Sequence, residues 1–343
     1  MYKIHQLGVE EIDWSALNAF KDRNVFQQRS WLDFVADFTS GDIVVLALED
    51  GNDVVGYFSG VLFKKLGIRL LGSPFRGWMS GYQGFNLVPE TSYAEAVRSV
   101  AHFAFKELRC WHFELIDRNM TLSDVQKVGC QYRAFENYET DLTLSWDEIF
   151  HSMSSSCRRA VRKSAKEGVS IEVAEPTGFA EEYYEQLKDV FAKQNMAPNY
   201  NLGRVEKLIE HISPSQNLLL LRARNKDGKS IATGIYPGYG DFGFFWGNAS
   251  LRDHQILRPN EALHLFAMQY WKSQDAVCFD WGWALDYKKK YGGNPVTYYS
   301  LLMPRSNSIY LARSLAEKIY VIPRNIRRRN YLKSVSSQKE NNK

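Results

Sequence analysis

The chain predicts an α/β fold in which one mixed-sheet unit flanked by helices is laid down twice. Three observations carry this expectation: a length of 343 residues, the same order of elements in both halves, and an Asp-Gly turn in the leading hairpin of each. Single cores stop growing near ~250–300 residues, so this length suits two domains better than one. With 45% hydrophobic, 14% aromatic and 24% charged residues, the composition is globular and not that of a disordered chain.

In the first half, DIVVLALEDGNDVVGYFSGVLFKK (42–65) alternates β-branched and aromatic residues around Asp50-Gly51, which reads as a hairpin. LGSPFRGWMSGYQGF (71–85) follows, dense in glycine and aromatics. SYAEAVRSVAHFAFKEL (92–108) brings Ala96, Val100, Phe103 and Leu108 near one helical face, and CWHFELI (110–116) reads as the closing strand. The second half repeats the order. NLLLLRARNKDGKSIATGIYPGYG (217–240) is a hairpin around Asp227-Gly228, DFGFFWGNAS (241–250) a strand, RPNEALHLFAMQYWKS (258–273) a helix and AVCFDWGW (276–283) a strand. Two halves with one order argue for duplication.

Between the halves, Ser145 reads as an N-cap and Gly168 as a C′ glycine, bounding helical turns that lead into a strand over 169–173. Further amphipathic helices are expected over 179–195 and 201–212. The expected organisation is domain 1 over 1–144, domain 2 over 145–312, and a terminal helix with a basic, partly disordered tail over 313–343. The basic run RNIRRRNYLK reads either as a solvated helix or as an electrostatic contact with anionic lipid headgroups or tRNA.

A net charge of +4 makes no case by itself for a nucleic-acid binder. Cys110, Cys130, Cys157 and Cys278 are scattered without CxxC or Cys/His spacing, so neither a zinc site nor a disulfide framework is expected. The polar, acidic N-terminus is not a secretory segment, and no stretch approaches ~18 apolar residues. A cytoplasmic protein is expected, with the tail able to touch the inner membrane surface.

Three segments resemble the Fem-type (FemAB-like) branch of the GNAT N-acyltransferase superfamily. SSSCRRAVRKSAKEGVSIEV (154–173) looks like that family's basic opening of the second domain. GKSIATGIYPGYGDFGFFWGNAS with RPNEALHLFAMQYW is similar to its strand–strand–helix core, and FDWGWALDYKKKYGG (279–293) to its closing motif. The resemblance covers nearly the whole chain and is strongest over 145–300. It implies two tandem acyl-CoA N-acyltransferase folds, with residues after about 312 returning to domain 1. It also implies transfer of an acyl group from a thioester, acyl-CoA or acyl-carrier protein, to an amine. No tightly bound cofactor and no metal are expected.

Acyl transfer to an amine needs a held donor, a neutral nucleophile and hydrogen-bond donors aimed at the tetrahedral oxyanion. The resemblance places Tyr287 and Lys288 at the family's Phe-Lys pair, where the lysine and backbone are thought to stabilise developing charge; the alternative is a solvated triple-lysine loop. Asp280, between aromatics at a strand end, suits a general base if desolvated, or else caps the following turn or pairs with a lysine. The family's donor pyrophosphate sits at a helix start, which here is LRPNEAL (257–263), so Arg258, Asn260 and Glu261 are the donor-binding candidates; this turn has no glycine. Arg76, Trp78 and Tyr82 in the Gly/aromatic segment, with Trp283, are expected to wall a cleft for a sugar or peptide, or else to be packed aromatics. Arg29 is a weaker acceptor-side candidate. Arg158, Arg159, Arg162 and Lys163 either bind an anion or form a basic helix face.

The neutral stretch QNMAPNYNLG (194–203) lacks the basic residue of members acting on nucleotide-linked peptidoglycan precursors. Related enzymes modify amino sugars in polysaccharide or glycolipid synthesis, so a cell-envelope saccharide amine is the expected acceptor. An aminoacyl-tRNA-dependent transferase and a non-catalytic module binding glycan or a partner are the alternatives.

Overall fold

The computed structural model describes residues 1–193, 196–283, 285–306 and 309. The first half supplies β1 (Lys3–Leu7), β2 (Asp42–Asp50), β3 (Asp53–Lys65), β4 (Ile68–Ser73), β5 (Gly84–Leu87), β6 (His112–Ile116) and β7 (Gln131–Asp141). Its helices are α1 (Trp14–Leu17), α2 (Arg29–Thr39), α3 (Tyr93–Lys106) and α4 (Leu122–Val128). The second half supplies β8 (Ser170–Val173), β9 (Leu218–Arg224), β10 (Ser230–Tyr239), β11 (Phe242–Phe244), β12 (Gly247–Ser250), β13 (Cys278–Trp283) and β14 (Asn294–Pro304). Its helices are α5 (Trp146–Ser152), α6 (Ser155–Lys166), α7 (Phe179–Lys193), α8 (Leu202–Ile212) and α9 (Pro259–Ser273).

Local chemistry accounts for these boundaries. The first hairpin closes with Asp50 opposite Asp53 and Gly51 at φ +61°, the left-handed region that glycine adopts without a Cβ penalty. The second Asp-Gly turn is longer than a two-residue hairpin loop, because the Asn225 side chain accepts from the amides of Asp227 and Lys229. Ser145 and Glu148 form a capping box at the start of α5. The strand expected over 241–250 is two short strands, β11 and β12, interrupted at Phe245-Trp246.

All strands described belong to one sheet of order β1-β2-β3-β4-β6-β14-β7-β13-β11-β10-β9-β8, with β5 on β3 and β12 on β10. That order reads the same from both ends: β2, β3, β4 and β6 correspond to β9, β10, β11 and β13, and β5 to β12. Each half contains one parallel pair, β4–β6 and β11–β13, joined by a crossover helix, α3 or α9. The closing strands are exchanged. β7 of the first half pairs with β13, and β14 of the second half pairs with β6, while β7 and β14 pair with each other at the centre. A cut at residue 144 divides the chain by element order, yet each half-sheet is completed by a strand from the other. The helix expected after about residue 312 and the basic tail lie outside the described residues.

Three apolar clusters hold the layers. One packs α3 on the first half-sheet through Ala96, Val97, Val100 and Phe113, and one packs α9 on the second through Leu263, Ala267, Met268 and Phe279. The third joins the halves, bringing Phe26, Trp31 and Tyr82 against Tyr183, Val205 and Phe244. Full burial of such side chains contributes about 1.5–3 kcal/mol each, so the two halves share a core and are not merely tethered. Among the described residues, no helix is long and apolar enough to cross a membrane.

Candidate active site

The site lies where the parallel pair β11–β13 ends. Its last register pair is Phe244 with Asp280, and the Phe245 amide donates to the Asp280 carbonyl at 2.8 Å. Beyond this point β13 bulges against β7, with Gly282 at φ +66°. The bulge turns the Gly282 amide back onto Asp280 Oδ1 at 2.6 Å. A 3-10 turn over Asp286–Tyr291 then folds the lysine run over the strand end.

Lys288 is not a solvated loop residue. It is 5% exposed, its Nζ donates to the Trp281 carbonyl and lies 4.9 Å from the Phe245 ring centre. Burial lowers its pKa to about 8, partly offset by Asp280, so it carries its charge at neutral pH while poorly hydrated. Below it, His264 is buried with Nδ1 2.9 Å from the Tyr236 hydroxyl and ring edges against Phe245, Trp281 and Tyr291. Burial and the charges of Lys290 and Lys288 hold this imidazole neutral.

Asp280 is fully buried. Its Oδ1 accepts from Asn137 Nδ2 at 2.6 Å and from Gly282; its Oδ2 faces the Tyr298 hydroxyl at 3.2 Å and Arg118 Nη1 at 3.9 Å. Directly across the ladder stands Glu139, gripped by both Arg118 Nη atoms, by the Tyr298 hydroxyl and by the Cys278 thiol at 3.4 Å. Burial, then the Glu139 charge, push Asp280 up to about 6, whereas at Glu139 burial is outweighed by the hydrogen bonds and charge of Arg118, which hold it below the usual range. Arg118 also lies over the rings of Phe242, Tyr82 and Tyr298.

Of the residues singled out in the sequence, Lys288, Asp280, Tyr287, Trp283 and Tyr82 meet here. Tyr287 and Trp283 are 44% and 46% exposed at the rim, and Trp283 packs on Phe135 at 4.5 Å. Tyr82 is buried beneath Arg118 and against Tyr298 at 5.5 Å, so it supports the site from inside and is no cleft wall. Trp78 is buried among Phe38, Phe63 and Phe75, a packing position. Arg76 is exposed on the loop after β4, its amide held by Glu114. Arg29 is tied to Asp33, Glu10 and the Val9 carbonyl at the start of α2.

At the start of α9, Arg258 is exposed in the left-handed region, Asn260 donates to Ser250, and Glu261 is buried against Lys290 at 2.7 Å. A buried carboxylate in the first helical turn occupies the place where that terminus would favour an anion. Arg158 spends its guanidinium on the His151 and Met153 carbonyls, while Arg159 and Arg162 remain exposed. No three His, Cys, Asp or Glu side chains among the described residues are grouped to hold a metal. Arg118, Asn137, Glu139 and Tyr298 were not singled out from the sequence. The one local signal was polar alternation in β7, where Asn137 and Glu139 share a face with Phe135.

No protein-family model and no curated protein matches the chain. Solved structures do. FemX is 12% identical with a TM-score of 0.69, covering 86% of this chain and 96% of its own. The C-terminal domain of a lysylphosphatidylglycerol synthetase candidate from Agrobacterium fabrum is 12% identical at 0.55, covering 83% and 90%. A tandem GNAT protein from the clavulanic acid biosynthesis pathway is 10% identical at 0.51, covering 90% and 100%. The palindromic sheet, the two parallel pairs and these likenesses agree: this chain has a tandem GNAT-like fold similar to that of FemX.

Proposed function

We propose that the protein is an N-acyltransferase that moves an acyl group from a thioester, acyl-CoA or acyl-carrier protein, to an amine of a cell-envelope saccharide or glycolipid precursor. The observation that carries this reading is Lys288, a charged ammonium held in a poorly hydrated strand end beside a carboxylate of raised proton affinity. A fixed cation of this kind stabilises the oxyanion that forms when an amine attacks a thioester carbonyl, because little reorganisation is needed at the moment of reaction. Asp280 is then the proton acceptor. The exposed faces of Trp283 and Tyr287 suit stacking against a sugar ring, and Lys289 beside them is solvated.

The likeness of fold supports the thioester donor, whereas the start of α9, where Glu261 is already paired, adds no support for it. Thermal shift against acetyl-CoA, longer acyl-CoAs and charged tRNA tests it, since a ligand at ~100 times its Kd adds ~2.7 kcal/mol. A shift with a thioester, followed by thiol release on adding an amino sugar, is the expected result. Stabilisation by charged tRNA alone, steeply weakened by salt, would instead assign an aminoacyl donor.

A further inference from the structure

Asp280 is 0% exposed, so an acceptor amine cannot touch it, and the cluster around it supplies a route. Asp280 and Glu139 stand directly opposite on β13 and β7, a placement of like charges that is ordinarily unfavourable. Their donors are unequal. Glu139 has both Nη atoms of Arg118 and the Cys278 thiol, whereas Asp280 has firm donors only on Oδ1, from Asn137 and Gly282. Asp280 Oδ2 faces Tyr298, whose hydroxyl touches Glu139 as well. A hydroxyl has one hydrogen and cannot donate to both carboxylates at once. With a proton on Oδ2, the Tyr298 contacts are all satisfied: Asp280 Oδ2 and Arg118 Nη1 donate to the two lone pairs of Tyr298 Oη, and Tyr298 donates to Glu139. Exposure rises along the same line, from 0% at Asp280 through 5% at Tyr298 to 12% for the Glu139 side chain.

We propose that Asp280, Tyr298 and Glu139 form a proton relay, in which the Tyr298 hydroxyl passes one proton between a buried carboxylate and one that reaches solvent. Arg118 is its positioning residue, fixing Glu139 with both Nη atoms and donating from Nη1 to the Tyr298 hydroxyl at 2.6 Å. The other groups facing Asp280 are Asn137 on β7, Tyr82, the Cys278 thiol and Lys288. Burial keeps Tyr82 and Cys278 protonated, so neither competes for the proton.

Within the thioester-to-amine reading on which this rests, the steps balance. As the C–N bond forms, the amine N–H bond breaks and its proton enters at Glu139. Glu139 donates it to Tyr298 Oη, and the Tyr298 hydrogen moves to Asp280 Oδ2. When the C–S bond breaks, the proton returns by the same path to the thiolate, giving amide and thiol.

The experiment is a carboxyl 13C NMR titration of the full-length protein labelled at aspartate, with the Asp280 signal assigned through Asp280→Asn. Wild-type Asp280 is expected to titrate well above ordinary aspartates, and Glu139→Gln to bring it down by at least a tenfold change in proton affinity. Titration at ordinary pH, or no response to Glu139→Gln, overturns the relay whether or not any acyl transfer is found. Tyr298→Phe, which keeps the ring against Phe135 and Tyr82, is expected to lower kcat at least tenfold with KM unchanged and to diminish the solvent deuterium isotope effect. An unchanged kcat and isotope effect also overturn it. If the titrations come out as expected while no thioester is turned over, the relay stands and the proposed function falls.

Discussion

Replacing Lys288 with methionine separates a catalytic lysine from a structural one. Methionine keeps the apolar stem and removes the charge. A pKa lowered from 10.5 to about 8 means that keeping the ammonium at pH 7 costs the fold about 3 kcal/mol. Against this, the Trp281 carbonyl loses a donor, worth about 1–2 kcal/mol. Lys288→Met is therefore expected to be as stable as wild type at pH 7, or about 1–2 kcal/mol more stable, by urea unfolding. Thiol release should fall by ~10²–10³ in kcat, as when one oxyanion donor is removed. The pH dependence has a definite sign. Between pH 8 and 10.5 the unfolded chain holds a proton that the folded chain has released, so wild type gains about 3 kcal/mol on the variant across that window. A variant destabilised by more than about 2 kcal/mol with kcat intact would refute the reasoning and make Lys288 an anchor.

The rate–pH profile should be bell-shaped, rising as Asp280 ionises near about 6 and falling as Lys288 loses its proton near about 8. Asp280→Asn should abolish the acid limb, and its survival would assign that limb elsewhere. Arg118→Met leaves Glu139 buried without its cation and should cost about 3–5 kcal/mol, most of it recovered by adding Glu139→Gln. Additive effects in that double-mutant cycle would argue against the pair. Trp283→Ala removes a half-exposed ring resting on Phe135, so it should raise the acceptor KM about tenfold and change stability by no more than about 1 kcal/mol. A loss of stability with unchanged KM would mark Trp283 as packing.

Several candidate residues of the site share one short segment of the sequence. FDWGWALDYKKKYGG carries Asp280, Trp283, Tyr287 and Lys288, with Tyr287 and Lys288 singled out through the family resemblance and Asp280 through its place between aromatics at a strand end. Tyr82 was legible as an aromatic but not as a buried support, and Arg29 and Trp78 looked like cleft residues because composition carries no information on which way a ring or guanidinium turns. Arg29 met Asp33 one helical turn away, an i,i+4 pair that the sequence contained. The start of α9 is a donor-site expectation that comes from the family resemblance. Lys290, brought over it by the 3-10 turn, claims Glu261 instead.

Hydrophobic periodicity and turn chemistry act within a few residues. They determined the two hairpins, the crossover helices, the caps and the repetition of one α/β unit. The exchange of β7 and β14 was decided only by tertiary structure, since a strand's pattern reports which of its faces is buried and not which strand it lies beside. That choice sets Asp280 opposite Glu139, 141 positions earlier in the chain, and brings Tyr298 between them. Arg118, Glu139 and Tyr298 became part of the site because closing the sheet leaves a buried carboxylate pair that must find a cation and a hydroxyl.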